Sequence, residues 1–536
     1  MNDDCAILGI DLGTSGAKVG IVTLAGDCLD WTLEKVPLLL VGTGGAEQNP
    51  DDWWRAINIA VKRLVSRETI PANRILAVCT SSMGEETVPV DRNGNCLMNA
   101  MNWMDQRGAA AIREQLKGWI NPAGMGYGLA NILKWIRYTG GVPSPSGKDP
   151  AGHITYIRKE LPEIYEKTHK FLNSLDFVNL RLTGEYVATY DSILPLWVTD
   201  NRDLARIRYH SGLLKALDLD RDKLPELVPP TAVIGKLLPR VAESWGLSPD
   251  VKVVAGSVDS VAAPIGGGAV RDFDPCLTLG TSSFITAHVP FKKTDIAGRM
   301  ASFPSAVDGK YVLLNNQTTA GGNLSFIADN VVYHKDALLQ EEKKPDLYKV
   351  FDKVCREVPP GSNGLFYSPW IFGERSPMDD HFIRGGIHNI SLHNNREDIV
   401  RAVFEGVAFN AKWLLESVIK FLKSPCDTIR MTGGGAASDV WCQIHADILD
   451  RKILQVVDPI RSNARGAGLI GAVGIGEISM DAVPDLVKIR NVYEPNAAHR
   501  RLYDERFDIF KEFYRKTRRL YERLNGSRQT GSAGCP

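Results

Sequence analysis

The sequence predicts an α/β protein of two domains, each a mixed sheet flanked by helices, and three observations carry that prediction. At 536 residues the chain exceeds what one ordinary hydrophobic core serves. An apolar run ending in Gly-Thr-Ser occurs twice, as ILGIDLGTSGAK at residues 7–18 and as CLTLGTSSF at residues 276–284. Around each copy, short apolar runs alternate with stretches of helical period, the grammar of sheets wrapped by helices.

The elements follow in order. ILGIDLG reads as a buried strand, and GIVTLAGDCLDWTLEKVPL as two more strands around a turn at Ala25-Gly26-Asp27. DDWWRAINIAVKRLVSR has helical period, with Asp51 and Asp52 suited to the positive end of the helix dipole. RILAVCTSSM is a further strand. Residues 140–152 are rich in Gly, Pro and Ser and read as a loop. A Pro-studded stretch near residues 225–249 leads into VKVVAGSVDS, which places the domain boundary at Gly256. The second half repeats the pattern, with strands at CLTLG, FITAHV, YVLLNNQ and DTIRMTGGG and a long helical stretch between the last two. The expected division is residues 1–256, 257–497 and a terminal unit at 498–536. In that unit Tyr503, Phe507, Phe510, Tyr514 and Tyr521 form one aromatic stripe on a helix over about residues 498–524, and a flexible tail follows.

Bulk properties exclude several classes. Lys plus Arg equals Asp plus Glu at 63 each, which gives no support for a nucleic-acid partner. No apolar run approaches the roughly 18 residues of a membrane span. The N-terminus lacks a basic signal-peptide region, and nine dispersed Cys without C-x-x-C read as reduced thiols, so a cytoplasmic location is expected. The ten His are dispersed and H-E-x-x-H is absent, so a catalytic zinc has no support.

The two Gly-Thr-Ser turns carry the chemistry. Gly admits a ligand close to backbone N–H groups, and Thr and Ser add hydroxyl donors, so one turn from each half can grip the two sides of a polyphosphate. Phosphoryl transfer then needs Mg²⁺ and a base near the acceptor hydroxyl. Asp11 stands at the end of its strand, where a carboxylate can organise hydrated Mg²⁺, and Lys18 lies within reach of a phosphate; a turn-capping Asp11 is the plainer alternative. Asp259 lies where a buried strand runs into a helix, placed either as a base or as an ordinary cap. Gly433–Gly435 open a strand-to-helix turn that bares backbone to a flat ring or a phosphate. Gly466, Gly468 and Gly471 satisfy G-x-G-x-x-G but do not follow a strand directly, so a close-packing helix face is expected there rather than a dinucleotide site.

In their order and spacing, IDLGTSGAK, NAMNWMDQRG, AGSVDSVAAPIGGGAV, TLGTSSF and TGGGAASDVWCQIHADIL resemble the FGGY family of carbohydrate kinases, over residues 7 to about 477. The resemblance implies two ribonuclease-H-like domains of the actin and hexokinase kind, with sugar and ATP meeting in the cleft and Mg²⁺ between them. By that likeness Asp11, Thr14, Ser15 and Lys18 face the phosphates, Gly280, Thr281 and Ser282 form the second phosphate turn, and Gly321, Gly434, Gly435, Ala436 and Ser438 surround the nucleotide. Asp259 matches the catalytic base, and Asp11 and Asp259 the metal-facing carboxylates. Glu85, Trp103, Asp105, Tyr127, Asp259 and Phe284 fall at the sugar. Glycerol kinases carry Arg where this chain has Gly84, and xylulokinases carry a Met-His-Gly that is missing here, so the sugar pocket departs from both. Losing the Arg opens volume, which suits an acceptor larger than glycerol, and the phrasing is closest to the xylulokinase-like branch; D-xylulose is the expected substrate, and glycerol or another polyol or ketose the alternative. The likeness allows a homodimer. An actin-like ATPase and a catalytically silent sensor are the rival classes; Glu85 with NWMDQRG speaks against the first, and retention of Asp11 and Asp259 against the second.

Overall fold

The structure is a computed structural model that describes residues 4–121, 126–296, 298, 300–332 and 346–526. Its first sheet contains β1 (Ala6–Gly13), β2 (Gly16–Thr23), β3 (Cys28–Lys35), β4 (Ile75–Ser82), β5 (Val233–Lys236) and β6 (Lys252–Val258), in the order β5-β6-β4-β1-β2-β3. Strands β1, β4 and β6 run parallel, and β2, β3 and β5 pair antiparallel with their neighbours. The second sheet contains β7 (Pro275–Leu279), β8 (Ser283–Val289), β9 (Thr294–Asp295), β10 (Met300–Pro304), β11 (Tyr311–Gln317), β12 (Thr428–Thr432), β13 (Lys452–Val456) and β14 (Ile489–Tyr493), in the order β9-β10-β11-β8-β7-β12-β13-β14. Within it, β11-β8-β7-β12-β13-β14 repeats β3-β2-β1-β4-β6-β5: an antiparallel pair, a parallel trio and an antiparallel edge. The duplication announced by the repeated phrase is thus present in strand order. Strands β5, β9, β10, β13 and β14 are additions to the elements read from the sequence.

Local chemistry explains the elements. The central strands β1 and β4 are apolar and buried along nearly their whole length, as parallel strands covered on both faces require. Helix α1 (Pro50–Val65) starts with an Asn49 side chain accepting from the Asp51 amide and with Pro at its first turn, and its buried Trp53, Ile57, Val61 and Leu64 pack on β2 and β3. Helix α2 (Ser174–Thr183) opens on a capping box of Asn173 and Asp176. The loop expected over 140–152 ends earlier, at Asp149, because that side chain accepts from the Gly152 amide and starts a helix at Pro150. The boundary expected at Gly256 falls inside β6, two residues before the strand ends.

Two helices join the lobes. Helix α3 (Asp259–Gly266) leaves β6 and packs beside β7 and β8 of the other sheet. After α4 (Gly321–Ile327), α5 (Arg396–Leu422) and α6 (Asp439–Leu449), helix α7 (Ser462–Gly474) leaves the second sheet and lies across β1, β2, β4 and β6 of the first. The two crossing helices pack on one another with almost no side chain between them. A Cβ at Gly266 would overlap the Ser462 carbonyl oxygen, and one at Gly466 the Ala262 carbonyl oxygen. Gly468 and Gly471 lie against Val22 and against Ile7 with Cys79. The G-x-G-x-x-G stripe is therefore a packing face. Beside it, buried Arg465 donates from Nε to the Gly266 carbonyl at 2.6 Å and from Nη1 to the Val457 carbonyl at 2.7 Å, and burial lowers its pKa to about 10.

Helix α8 (Arg500–Asn525) docks its stripe on the second lobe, with Tyr503, Phe507, Phe510 and Tyr514 buried and Tyr521 packed at the edge. A buried polar knot fixes it. Arg401 donates to Glu405 Oε1 at 2.9 Å and to the Tyr503 hydroxyl at 3.2 Å, and Glu405 also accepts from Ser362 Oγ at 3.0 Å and the Gly361 amide at 2.9 Å. The tail over 527–536 lies outside the described residues. Among the described residues no helix is long and apolar enough to cross a membrane.

Three substitutions test this packing. Gly266→Ala forces the crossing helices apart and is expected to cost about 1–3 kcal/mol; an unchanged melting temperature would contradict the packing described. Arg401→Ala strands the Glu405 carboxylate in the interior and is expected to cost about 3–5 kcal/mol. Arg501→Ala, which breaks the exposed pair with Glu505, should cost under about 1 kcal/mol by the same denaturation measurement.

Candidate active site

The candidate site centres on Asp11, which Lys18 and Asn463, near the start of one crossing helix, both reach, and whose charge Asp259, at the start of the other, feels. In the first lobe β1 turns through Thr14 and Ser15 into β2, which makes Asp11 and Lys18 cross-strand partners. Lys18 Nζ stands 3.0 Å from Asp11 Oδ2, and Asn463 Nδ2, at the start of α7, donates to Asp11 Oδ1 at 3.4 Å. Asp11 raises the pKa of Lys18. Asp259 is the first residue of α3 and is partly exposed. Burial, and then the neighbouring Asp11, push its pKa up to about 7. A carboxylate made costly to ionise beside a second carboxylate, Asp11, fits a divalent cation nearby. Among the described residues, no group of three or more His, Cys, Asp or Glu could hold a metal. A pair of carboxylates is a donor set that suits Mg²⁺, which takes one or two carboxylates and completes its shell with water and phosphate.

The second lobe supplies the matching turn. Gly280 to Ser282 link β7 to β8 and leave the Thr281 and Ser282 side chains exposed. The Gly321 amide donates to the Gly280 carbonyl at 2.9 Å and the Gly322 amide to the Thr281 carbonyl at 3.0 Å, so the start of α4 sits on this turn. Next to it, the Gly433–Ala437 turn leans on Leu279, which Gly433 and Gly435 both approach closely. Gly434 faces open space. Ser438 caps α6 through the Trp441 amide and donates to Asp352 Oδ1 at 2.6 Å, and Ala436 is buried. Phe284, the second residue of β8, is half-buried and outside the core of its lobe.

The sugar-side residues divide. Glu85 follows β4 in a left-handed conformation (φ 73°), a position a non-glycine residue occupies at a cost and one that marks functional loops. The loop is tied to the first Gly-Thr-Ser turn: the Met83 amide donates to the Leu12 carbonyl at 2.8 Å, Thr14 Oγ1 to Met83 Sδ at 3.6 Å, and Trp103 Nε1 to Thr14 Oγ1 at 3.0 Å. Trp103 is 39% exposed, which leaves ring surface for a ligand. Asp105 and Tyr127 do not reach the cleft surface. Asp105 is wholly buried: it accepts from Arg107 and from the Ala46 amide at 3.0 Å and so staples its own loop to the strand at Gly45–Gln48. Tyr127 is packed in the core with Ile132 and Trp135, and burial raises its hydroxyl pKa.

Residues absent from the sequence reading complete the surroundings. Glu86, directly after Glu85, is buried and its pKa stands well above the usual carboxylate range. Asp149, pushed up to about 7 by burial, feels Glu85 and is held by the Trp197 indole N–H at 2.9 Å. Lys148 projects from the first lobe beside Glu85, where burial and then Arg375 of the second lobe lower its pKa. These groups stand on loops far apart in sequence, and the only local signal was charge flanked by Gly and Pro, as in GKDP and GERSP.

Known proteins resemble this chain in sequence and in fold. Residues 6–266 match the N-terminal domain of the FGGY family of carbohydrate kinases, and residues 276–475 match the C-terminal domain. A xylulose kinase of Bacillus subtilis (strain 168) is 28% identical over 526 residues, covering 98% of this chain and 99% of its own length. A gluconokinase of the same organism is 28% identical over 486 residues, covering 90% of each chain. The solved gluconate kinase from Lactobacillus acidophilus superposes with a TM-score of 0.83 at 22% identity, covering 97% of this chain and 99% of that one.

Proposed function

The chain belongs to the FGGY family of carbohydrate kinases, a phosphotransferase acting on an alcohol group, and we propose that it transfers the γ-phosphate of ATP to a primary hydroxyl of a ketopentose, D-xylulose in first place. The observation that carries the reading is the placement of Asp259: the first residue of a helix that crosses between the lobes, beside Asp11 and Lys18. Asp259 accepts the proton of the acceptor hydroxyl as the new P–O bond forms and ADP departs. Lys18 and the hydroxyls of Thr14, Ser15, Thr281 and Ser282 hold the phosphates from both lobes, and Gly321, Gly434, Gly435, Ala436 and Ser438 form the nucleotide side. Asp11, with Asp259, would hold Mg²⁺, which would neutralise phosphate charge. Glu85 accepts from a sugar hydroxyl, Trp103 and Phe284 give apolar faces to its C–H groups, and Asp105 and Tyr127 support that pocket from behind. The first lobe thus carries the sugar and the second the nucleotide, and closure between them keeps water from the transferring phosphate.

A second reading, a sugar-acid acceptor, is favoured by one observation. Lys148 makes no hydrogen bond or ion pair among the described residues, yet it is held partly out of water with Arg375 and Glu85 nearby. A carboxylate on the substrate would satisfy that ammonium, and gluconokinases stand among the relatives.

Asp259→Asn should abolish phosphorylation while leaving ATP affinity within about threefold, measured by coupled ADP release and by nucleotide titration; preserved turnover would remove Asp259 as the base. Glu85→Ala should raise KM for the acceptor at least about tenfold and spare KM for ATP; equal effects on both would place Glu85 outside the sugar pocket. Lys148→Met should leave D-xylulose turnover within about threefold. If D-gluconate is the better acceptor and this variant loses it by about tenfold or more, the sugar-acid reading replaces the ketopentose reading.

A further inference from the structure

A chain of buried polar groups runs behind the cleft, from the sugar loop to the start of α3. Glu86 accepts from Ser174 Oγ at 3.1 Å, where α2 begins. Asp176 of the same capping box accepts from Ser192 Oγ at 2.7 Å. The Ser192 amide donates to Thr189 Oγ1 at 3.2 Å, and Thr189 Oγ1 donates to Asp191 Oδ1 at 2.7 Å. The second oxygen of Asp191, Oδ2, accepts from the Val258 amide at 2.8 Å and from the Ser257 hydroxyl. Val258 directly precedes Asp259, and Asp191 itself is only 2% exposed.

The strand that Asp191 grips needs a clamp. The β6–β4 ladder breaks register between Val254 and Ser257. Gly256 sits at φ 81°, and a Cβ there would overlap the Thr80 carbonyl oxygen, so only glycine makes this bulge. The amides of Ala255 and Gly256 donate instead to the carbonyls of Ala232 and Pro230, both at 2.9 Å. Past the bulge only Ser257 and Val258 remain to re-enter the sheet opposite Ser81 and Ser82 before the helix starts. Asp191 holds both of them. Two donors converge on one of its oxygens and a third reaches the other, a demand that an acceptor-only carboxylate meets and an amide meets in part.

We propose that Asp191 is a positioning residue for phosphoryl transfer: by fixing Ser257 and Val258 beyond the bulge, it sets the direction from which Asp259 enters the cleft. The inference rests on Asp259 being the base. A misaimed base costs turnover and leaves binding alone, because the phosphate turns and the sugar loop are held by other contacts. Asp191→Ala is expected to lower kcat about 100-fold with KM for the acceptor and for ATP within about threefold, Asp191→Asn is expected to fall between it and the parent, and hydrogen exchange in residues 252–262 is expected to quicken in both. If Asp191→Ala does not fold, Ser257→Ala, which removes a single hydroxyl, should lower kcat about fivefold, the worth of one hydrogen bond. A kcat within about twofold of the parent in every variant that folds, or KM values that deteriorate in step with kcat, would overturn the inference. Turnover retained in Asp259→Asn is a failure of the base assignment; turnover retained in the Asp191 and Ser257 variants beside an inactive Asp259→Asn is a failure of this inference alone.

Discussion

The near-contact of two helix backbones, α3 and α7, is the constraint on which the rest of this molecule depends. Each helix starts at the cleft, leaves the sheet that produced it and lies on the sheet of the other lobe. Gly266 and Gly466 let the two approach until carbonyl oxygens occupy the space where side chains would stand. Because the crossing is this close, Asn463 near the start of one helix bonds Asp11, and Asp259 at the start of the other feels its charge.

Charge at that centre is arranged sparingly. Asp11 is paired with a lysine from the adjacent strand, while burial and then Asp11 push the pKa of Asp259 up to about 7. A carboxylate poised in this way suits a group that must take up a proton during reaction. Around it, the first lobe contributes a further ring of buried acids, Glu86, Asp149, Asp176 and Asp191, each raised by desolvation. They are costly to bury, and three of them, Asp149, Asp176 and Asp191, offset that cost by gathering backbone and side-chain donors. In doing so they fix the loops that line the cleft.

Much of this was legible in the chain because it is local. A strand, a Gly-Thr-Ser turn and a return strand put Asp11 opposite Lys18 by register alone, and the repeat of the phrase gave the second turn and the duplicated sheet. The aromatic stripe of α8 and the packing role of the G-x-G-x-x-G face likewise follow from period and spacing. What could not be read depends on loops that meet only after folding. Lys148 and Arg375 lie more than two hundred residues apart in sequence, and Asp191 acquires its role from a bulge at Gly256. Asp105 shows the reverse: its motif points to the sugar, but Arg107, two residues on, consumes its carboxylate.

The most direct test of the account is a crystal structure of the protein with Mg²⁺, a non-hydrolysable ATP analogue and the acceptor that it turns over. The account predicts a primary hydroxyl of the acceptor about 2.6–3.2 Å from an Asp259 oxygen, in line with the γ-phosphorus, with the nucleotide phosphates spanning the Thr14–Ser15 and Thr281–Ser282 turns. An acceptor bound with no hydroxyl within reach of Asp259, or phosphates held by one lobe only, would contradict it.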